Sequence, residues 1–146
     1  MTRFMASAAA LALLVGGAAF AETYEVQMLN VGSDGERMVF EPAFLQIAPG
    51  DTVKFLPTDK GHNAESILEM MPEGADAFKG RINEEIEVTL TEEGVYAVQC
   101  KPHYAMGMVM TVAVGDAEVP DDFLEGRIPR KALERFEAQL TELSAE

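Results

Sequence analysis

A series of short segments that alternate apolar and polar residues constrains the fold of this chain more than any other feature. The alternation is clearest in Thr52–Leu56 and Ile86–Leu90, and turn signals such as Pro49-Gly50-Asp51 and Glu92-Glu93-Gly94 separate the segments. Further segments of this kind cover 24–29, 38–40, 44–47, 95–99 and 109–114. Regularly spaced alternating strands with Gly or Pro turns are typical of antiparallel sandwiches and barrels. We therefore predict an all-β Greek-key β-sandwich or barrel of about eight strands, extending to about residue 115.

Beyond residue 115 a helical pattern replaces the strand pattern. Four apolar residues recur at intervals of three and four: Leu133, Phe136, Leu140 and Leu143. Residues with this spacing line one face of a helix, and Pro129 is suited to its first turn, so we predict a helix over about 129–143. A shorter helix is predicted over about 117–125, begun by Asp121 or Asp122. We expect both C-terminal helices to pack on the sandwich and to cover apolar surface or a sheet edge.

The first 21 residues have the composition of a secretory leader. Arg3 supplies a positive start, residues 8–20 are almost wholly apolar, and Ala19-Phe20-Ala21 fits the small-x-small cleavage rule. An uncleaved membrane anchor is the alternative, but this apolar run is shorter than the roughly 20 residues that span a bilayer. We therefore predict a cleaved signal peptide at 1–21, export of the chain, and a single domain at 22–146.

The chain is strongly acidic, with a formal net charge of −14 at pH 7. A surface with this charge repels nucleic acid and anionic membranes, so we expect neither as a partner. The net charge says little about protein partners, because local patches decide how two proteins dock.

One short loop carries most of the residues that bind soft metals. Cys100, the only cysteine, is followed by His103 and by two methionines, Met106 and Met108. The only other histidine is His62, and loops from different hairpins meet at one end of a Greek-key sandwich, so His62 can reach the Cys100 loop. Two imidazoles, a thiolate and a weak axial thioether are the ligands of blue-copper sites. The spacing alone leaves open which methionine is the fourth ligand.

Two other kinds of site use the same residues. Cys100 can act as a nucleophile activated by His62 or His103, but that reading leaves the methionines unexplained and supplies no oxyanion donors. A zinc site needs four firm ligands, and here a thioether would be the fourth. In an exported chain a lone thiol also needs protection from oxidation, by burial or by metal ligation. The residues therefore favour copper.

Several longer stretches carry a resemblance to a known family. They are 25–30, 38–43, 48–53, 57–63 and 94–108, with the sequences EVQMLN, MVFEPA, APGDTV, PTDKGHN and GVYAVQCKPHYAMGM. In these stretches the chain resembles the pseudoazurins, a family of small periplasmic cupredoxins. The resemblance extends over essentially all of the chain beyond residue 21, including the C-terminal helical region that plastocyanins lack. It implies a cupredoxin-like fold, one type 1 copper ion and no enzymatic activity.

The resemblance also implies roles for individual residues. The implied copper ligands are His62, Cys100, His103 and Met108, because the second methionine of the loop is the axial ligand in that family. Met106 then belongs to an apolar rim around His103. The backbone N–H groups of Asn63 and Met108 are expected to bond the Cys100 sulfur.

Asn63 is also expected to tie the two ligand loops together. Pseudoazurins commonly have a threonine after the cysteine that accepts this tie, and here the residue is Lys101. A lysine has no hydroxyl to accept this bond, so the resemblance does not imply that part of the tie for this chain.

The function implied by the resemblance is that of a periplasmic single-electron carrier, a monomer that docks transiently and donates electrons to a dissimilatory nitrite reductase. A lysine ring usually surrounds the copper end in that family. This chain has Lys60, Lys79 and Lys101 there, whereas Val31 and Gln99 stand where lysine is expected. The alternative function is that of a periplasmic copper-binding or copper-delivery protein.

Overall fold

The alternating segments form strands in the computed structural model, which describes residues 19–145. The strands are β1 (Thr23–Val31), β2 (Arg37–Glu41), β3 (Phe44–Ile47), β4 (Thr52–Leu56), β5 (Glu65–Ser66), β6 (Ile86–Thr89), β7 (Gly94–Gln99) and β8 (Val109–Val114). The predicted all-β sandwich of eight strands is confirmed. Strand β5 was not predicted, because two residues are too few to show a period. The predicted leader at 1–21 lies almost entirely outside the described residues and stays a prediction.

The strands form two four-stranded sheets that place the ligand loops at a common end. One sheet has the order β2-β1-β4-β6 and the other has the order β3-β8-β7-β5. The pairs β1–β4 and β3–β8 are parallel, and the other pairs are antiparallel. His62 follows β4 of the first sheet, whereas Cys100 follows β7 of the second. The candidate site is therefore built between the two sheets.

Apolar side chains cover both faces of the second sheet. One cluster fills the space between the sheets and includes Phe40, Phe55, Tyr96 and Met110. A second cluster lies on the other face of β7 and β8 and includes Phe136 of the C-terminal helix. All six residues of β8 are buried because neighbours cover the strand from both sides.

The C-terminal region forms one helix instead of the two predicted. The helix α1 spans Arg130–Ser144 and matches the prediction for about 129–143. The predicted helix over 117–125 is wrong, because this segment forms only turns with bonds from the Phe123 N–H to the Pro120 oxygen and from the Glu125 N–H to the Asp122 oxygen. Proline on one side and Gly126 on the other leave too few residues to propagate a helix.

Within residues 19–145, no helix combines the length and the apolar composition needed to cross a membrane.

Candidate metal centre

Three side chains from two distant loops meet at one point. The two imidazole Nδ1 atoms of His62 and His103 are 3.1 Å apart. The sulfur of Cys100 lies 3.7 Å from the His62 Nδ1 and 3.5 Å from the His103 Nδ1. The centre of this triangle is about 2 Å from each atom, which is the range of metal bonds to imidazole nitrogen and thiolate sulfur. His62 and Cys100 are fully buried, whereas His103 is partly exposed.

The loop that carries three of the predicted ligands lies between β7 and β8 and contains a short 3₁₀ helix. The 3₁₀ helix spans Lys101–Met106, with Pro102 in its first turn. Gly107 ends it in the left-handed conformation, with φ of 86°. The backbone N–H of Cys100 donates to the carbonyl oxygen of Met108 at 3.0 Å, so the two ends of the loop are bonded to each other.

The orientation of His62 is fixed by a residue that the sequence did not single out. Its Nε2 lies 2.8 Å from the Oδ1 of Asn30, at the end of β1. An amide oxygen only accepts, so Nε2 carries the proton and Nδ1 presents a lone pair to the centre. The backbone N–H of Asn30 in turn donates to the carboxylate of Asp59 at 2.8 Å, which binds the end of β1 to the His62 loop.

Asn63 ties the two ligand loops together through a backbone group. Its Oδ1 accepts a hydrogen bond from the backbone N–H of Lys101 at 2.7 Å. Any residue except proline can donate this bond, so it does not depend on the lysine side chain at position 101. The Nδ2 of Asn63 donates to the Oε2 of Glu65 and to the carbonyl oxygen of Gly80, both at 3.1 Å.

A buried carboxylate lies behind the ligand loops and was not predicted from the sequence. Glu65 is 7% exposed, and its Oε1 accepts a bond from the Nε2 of Gln99 at 3.0 Å. Both of its oxygens therefore have amide donors. Among the described residues, the Oε1 of Gln99 is the one buried side-chain oxygen or nitrogen without a hydrogen-bond partner. The chain contains many acidic residues, and no motif or spacing in the sequence marks Glu65 as the buried one.

Burial shifts the pKa values of His62 and Cys100 in opposite directions. Burial lowers the pKa of His62, and the neighbouring His103 lowers it further, so its imidazole is neutral. Burial raises the pKa of the Cys100 thiol, although the backbone N–H groups of Asn63 and His103 oppose this effect. The imidazole is therefore ready to bind a cation, and the thiol must lose its proton to do so.

The two methionines of the loop differ in burial. Met108 is fully buried in the same apolar cluster as Cys100. Its backbone N–H donates to the carbonyl oxygen of His103 at 3.1 Å, so the expected bond from this group to the Cys100 sulfur is not formed. Met106 is 45% exposed, as expected for a residue of an apolar rim.

The donor set fits copper better than zinc. Two imidazole nitrogens and one thiolate sulfur converge, and no Asp or Glu of the described residues joins their cluster. Zinc would lack a firm fourth ligand, whereas copper accepts a distant thioether. The cluster is consistent with one type 1 copper ion.

The comparisons with known proteins agree with this chemistry. Residues 26–115 match the family model described as copper binding proteins of the plastocyanin/azurin family. The chain is 50% identical to a pseudoazurin of Paracoccus pantotrophus over 96% of this chain and 97% of that protein.

Solved structures of pseudoazurins have the same fold. The crystal structure of the pseudoazurin of Methylobacterium extorquens AM1 aligns with a TM-score of 0.76 and 42% identity, covering 83% of this chain and 98% of the other. The pseudoazurin of Hyphomicrobium denitrificans aligns with a TM-score of 0.74 and 39% identity, covering 82% and 97% of the two chains. The chain therefore belongs to the pseudoazurins, which are copper-containing electron carriers of the plastocyanin/azurin family rather than enzymes.

Proposed function

We propose that this chain is a periplasmic single-electron carrier in which four residues bind one copper ion. The ligands would be His62, Cys100, His103 and Met108. The observation that carries this proposal is the triangle of two Nδ1 atoms and one sulfur, with edges of 3.1 to 3.7 Å. When bound, copper supplies a one-electron couple between Cu(I) and Cu(II), and the chain needs no substrate site.

The residues around the centre hold the ligands in place. Asn30 fixes the ring of His62, and Asn63 joins the His62 loop to the Cys100 loop through the Lys101 N–H. His62, Cys100 and Met108 are all fully buried, which excludes water from three sides of the centre. Ligands that cannot rearrange keep the reorganisation that accompanies electron transfer small, and this favours a fast carrier.

His103 provides the route by which electrons enter and leave. It is the partly exposed member of the triangle, and the neighbouring Pro102, Ala105 and Met106 are exposed. This apolar patch can approach the redox centre of a partner without a large penalty for removing charges from water. A small patch also keeps the complex weak enough to dissociate after each transfer, as a monomeric carrier requires.

The proposed acceptor is a dissimilatory nitrite reductase. Membership of the pseudoazurins supports this assignment. The exposed Lys60, Lys79 and Lys101 are on the two ligand loops or near them in sequence, and they can steer an acidic partner to this end. The location in the periplasm is supported by the leader pattern at 1–21, which would deliver the chain across the inner membrane.

The ligand set is tested by adding Cu(II) to the metal-free protein and recording its visible spectrum. An intense thiolate-to-copper band is expected, and Cys100→Ser and His62→Ala should abolish it or change it strongly. Met108→Leu should alter the band, whereas Met106→Leu is the matched control and should leave it unchanged. An unchanged band in Cys100→Ser or His62→Ala would show that the proposed site is wrong.

The role as an electron carrier is tested against the alternative of copper delivery. The copper-loaded protein should show a reversible one-electron couple and should reduce purified nitrite reductase at a rate that depends on ionic strength. A delivery protein would instead release its copper to a metal-free acceptor. Copper release without electron transfer to any redox partner would favour the alternative.

A further inference from the structure

The C-terminal helix α1 lies directly against the ligand loop. A Cβ atom at Gly107 would be 2.6 Å from the Cγ of Lys131 and 3.2 Å from its backbone carbonyl atoms. The loop therefore touches the helix at the residue that precedes Met108. Contact this close means that a shift of the helix would move Gly107 and the residue bonded to it.

Arg135 of α1 makes this contact specific. Its guanidinium donates to three backbone carbonyl oxygens: those of Gly107 at 2.7 Å, Met38 at 2.6 Å and Arg37 at 2.7 Å. It also pairs with the carboxylate of Glu36 at 3.3 Å. The side chain is only 16% exposed. A surface arginine that served solubility alone would not be buried against three carbonyl groups, and the planar guanidinium suits several fixed acceptors at once.

The Gly107 oxygen that Arg135 binds belongs to the peptide group that leads into Met108. The N–H of the same planar group donates to the carbonyl oxygen of His103 at 3.1 Å. Both ends of this peptide group are therefore held, one by the helix and one by the loop that carries His103. The orientation of the group determines where the Met108 side chain begins.

We propose that Arg135 is a positioning residue for the axial ligand: through the Gly107 carbonyl it sets how closely the Met108 sulfur can approach the metal. This inference rests on the proposed role of Met108 as the axial ligand. Gln139 supports the same helix face, because it donates to the Val109 oxygen at 3.0 Å and accepts from the Thr111 hydroxyl at 2.8 Å. The helix thus holds the chain on both sides of Met108.

The test uses Arg135→Lys, which keeps the positive charge and removes the planar fork. Arg130→Lys is the matched control, because Arg130 lies on the same helix, is 93% exposed and, within residues 19–145, pairs only with Glu134. In the copper-loaded protein, Arg135→Lys should change the intensity ratio of the two thiolate-to-copper absorption bands. It should also raise the reduction potential, since a weaker thioether donor stabilises Cu(II) less. Arg130→Lys should change neither quantity.

A second comparison separates positioning from general support of the fold. In a Met108→Leu background the axial sulfur is absent, so Arg135→Lys should cause no further change in the band ratio. An equal change in both backgrounds would overturn the inference, because it would show an effect that does not pass through Met108. If Arg135→Lys does not fold, Glu36→Gln replaces it in the test, because it weakens the ion pair on the exposed side of the Arg135 guanidinium. It should shift the band ratio in the same direction but by a smaller amount.

The outcomes distinguish this inference from the proposed function. A spectrum that changes in Met108→Leu but stays unchanged in folded Arg135→Lys would overturn only the role of Arg135. A spectrum that is unchanged in Met108→Leu would show that Met108 is not the axial ligand, and both proposals would then be wrong.

Discussion

Glu65 places a negative charge behind the proposed copper ligands with little to compensate it. It is 7% exposed, and no Lys or Arg of residues 19–145 forms an ion pair with it. Amide donors from Asn63 and Gln99 satisfy its oxygens instead. The charge also contributes to the raised pKa of the Cys100 thiol, after the larger effect of burial. A charge that affects the pKa of the thiol should also affect the reduction potential of a copper ion bound to that sulfur.

Replacing Glu65 by Gln should therefore raise the reduction potential of the copper-loaded protein. Loss of a negative charge disfavours Cu(II) relative to Cu(I), and about 1 kcal/mol of electrostatic interaction corresponds to roughly 40 mV for a one-electron couple. The fold should tolerate the change, because the unpartnered Oε1 of Gln99 can accept from the new amide. Cyclic voltammetry measures the shift. Glu69→Gln, at an exposed position nearby, is the control, and an equal shift in both variants would contradict this prediction.

The residues of the site differ in how well the sequence predicts them. Cys100 and His103 stand out by type and spacing, and His62 stands out because the chain has only two histidines. Asn30 and Glu65 carry no such signal, because an Asn before a turn and a Glu in a strand are ordinary residues. Their roles come from contacts with residues that are more than thirty positions away along the chain.

The contacts of Asn63 show what coordinates add to a departure in sequence. The resemblance leaves one part of the tie unassigned, because Lys101 has no hydroxyl that could accept a bond from Asn63. In the structure the backbone N–H of Lys101 donates to the Asn63 Oδ1, which does not depend on the residue type. The Asn63 Nδ2, from which a hydroxyl would accept, donates to Glu65 and to Gly80 instead.

Among the larger elements, α1 is held mainly by Phe136. This side chain is fully buried, and it packs in the cluster that covers the outer face of β7 and β8. The helix also carries Arg135, which bonds the ligand loop at Gly107, and Gln139, which bonds the start of β8 at Val109. The packing of one aromatic ring thus supports the end of the ligand loop that carries the proposed axial ligand, Met108.

Phe136→Ala should lower the free energy of unfolding of the metal-free protein by about 3–5 kcal/mol, the usual cost of truncating a fully buried phenylalanine. Urea unfolding followed by circular dichroism measures the loss. The control is Glu137→Ala, whose side chain is exposed on the same helix and whose change should be within about 0.5 kcal/mol. Equal losses in the two variants would mean that the helix contributes no specific packing.

The elements that were predicted correctly are those with enough residues to show a period. Strands β4 and β6 alternate over four or more residues, and α1 repeats its apolar face over about three turns. β5 has two residues, and the 3₁₀ helix at Lys101–Met106 is a single irregular loop, so neither shows a pattern. In the segment 117–125 a helix was predicted that does not form. Acidic residues after a proline suggest a helix start, but Gly126 and Pro129 prevent the helix from continuing.

The chain as a whole carries far more acid than base, with 25 Asp and Glu against 11 Lys and Arg. Four ion pairs are present within residues 19–145, and most of their side chains are largely exposed. Most carboxylates therefore repel one another across the surface, and this repulsion opposes the compact state. Salt screens such interactions over about 10 Å at 0.1 M.

Raising the NaCl concentration from about 0.01 to about 0.15 M should therefore raise the midpoint of urea unfolding of the metal-free protein. The effect should be the same with KCl at equal ionic strength, because screening does not depend on the identity of the cation. A midpoint that stays constant or falls would show that repulsion between the acidic residues does not destabilise the fold. A difference between NaCl and KCl would point to specific ion binding instead.

The position of β8 has a consequence for when the copper site can form. β8 is the last strand in the chain, yet it lies between β3 and β7 within its sheet. During synthesis His62 leaves the ribosome well before this inner strand, and Cys100 also precedes it, by the loop that ends at Met108. The donors then exist without the scaffold that brings them together, and the thiol is unprotected. Metal loading therefore belongs after β8 has been inserted into its sheet, when both ligand loops are in place.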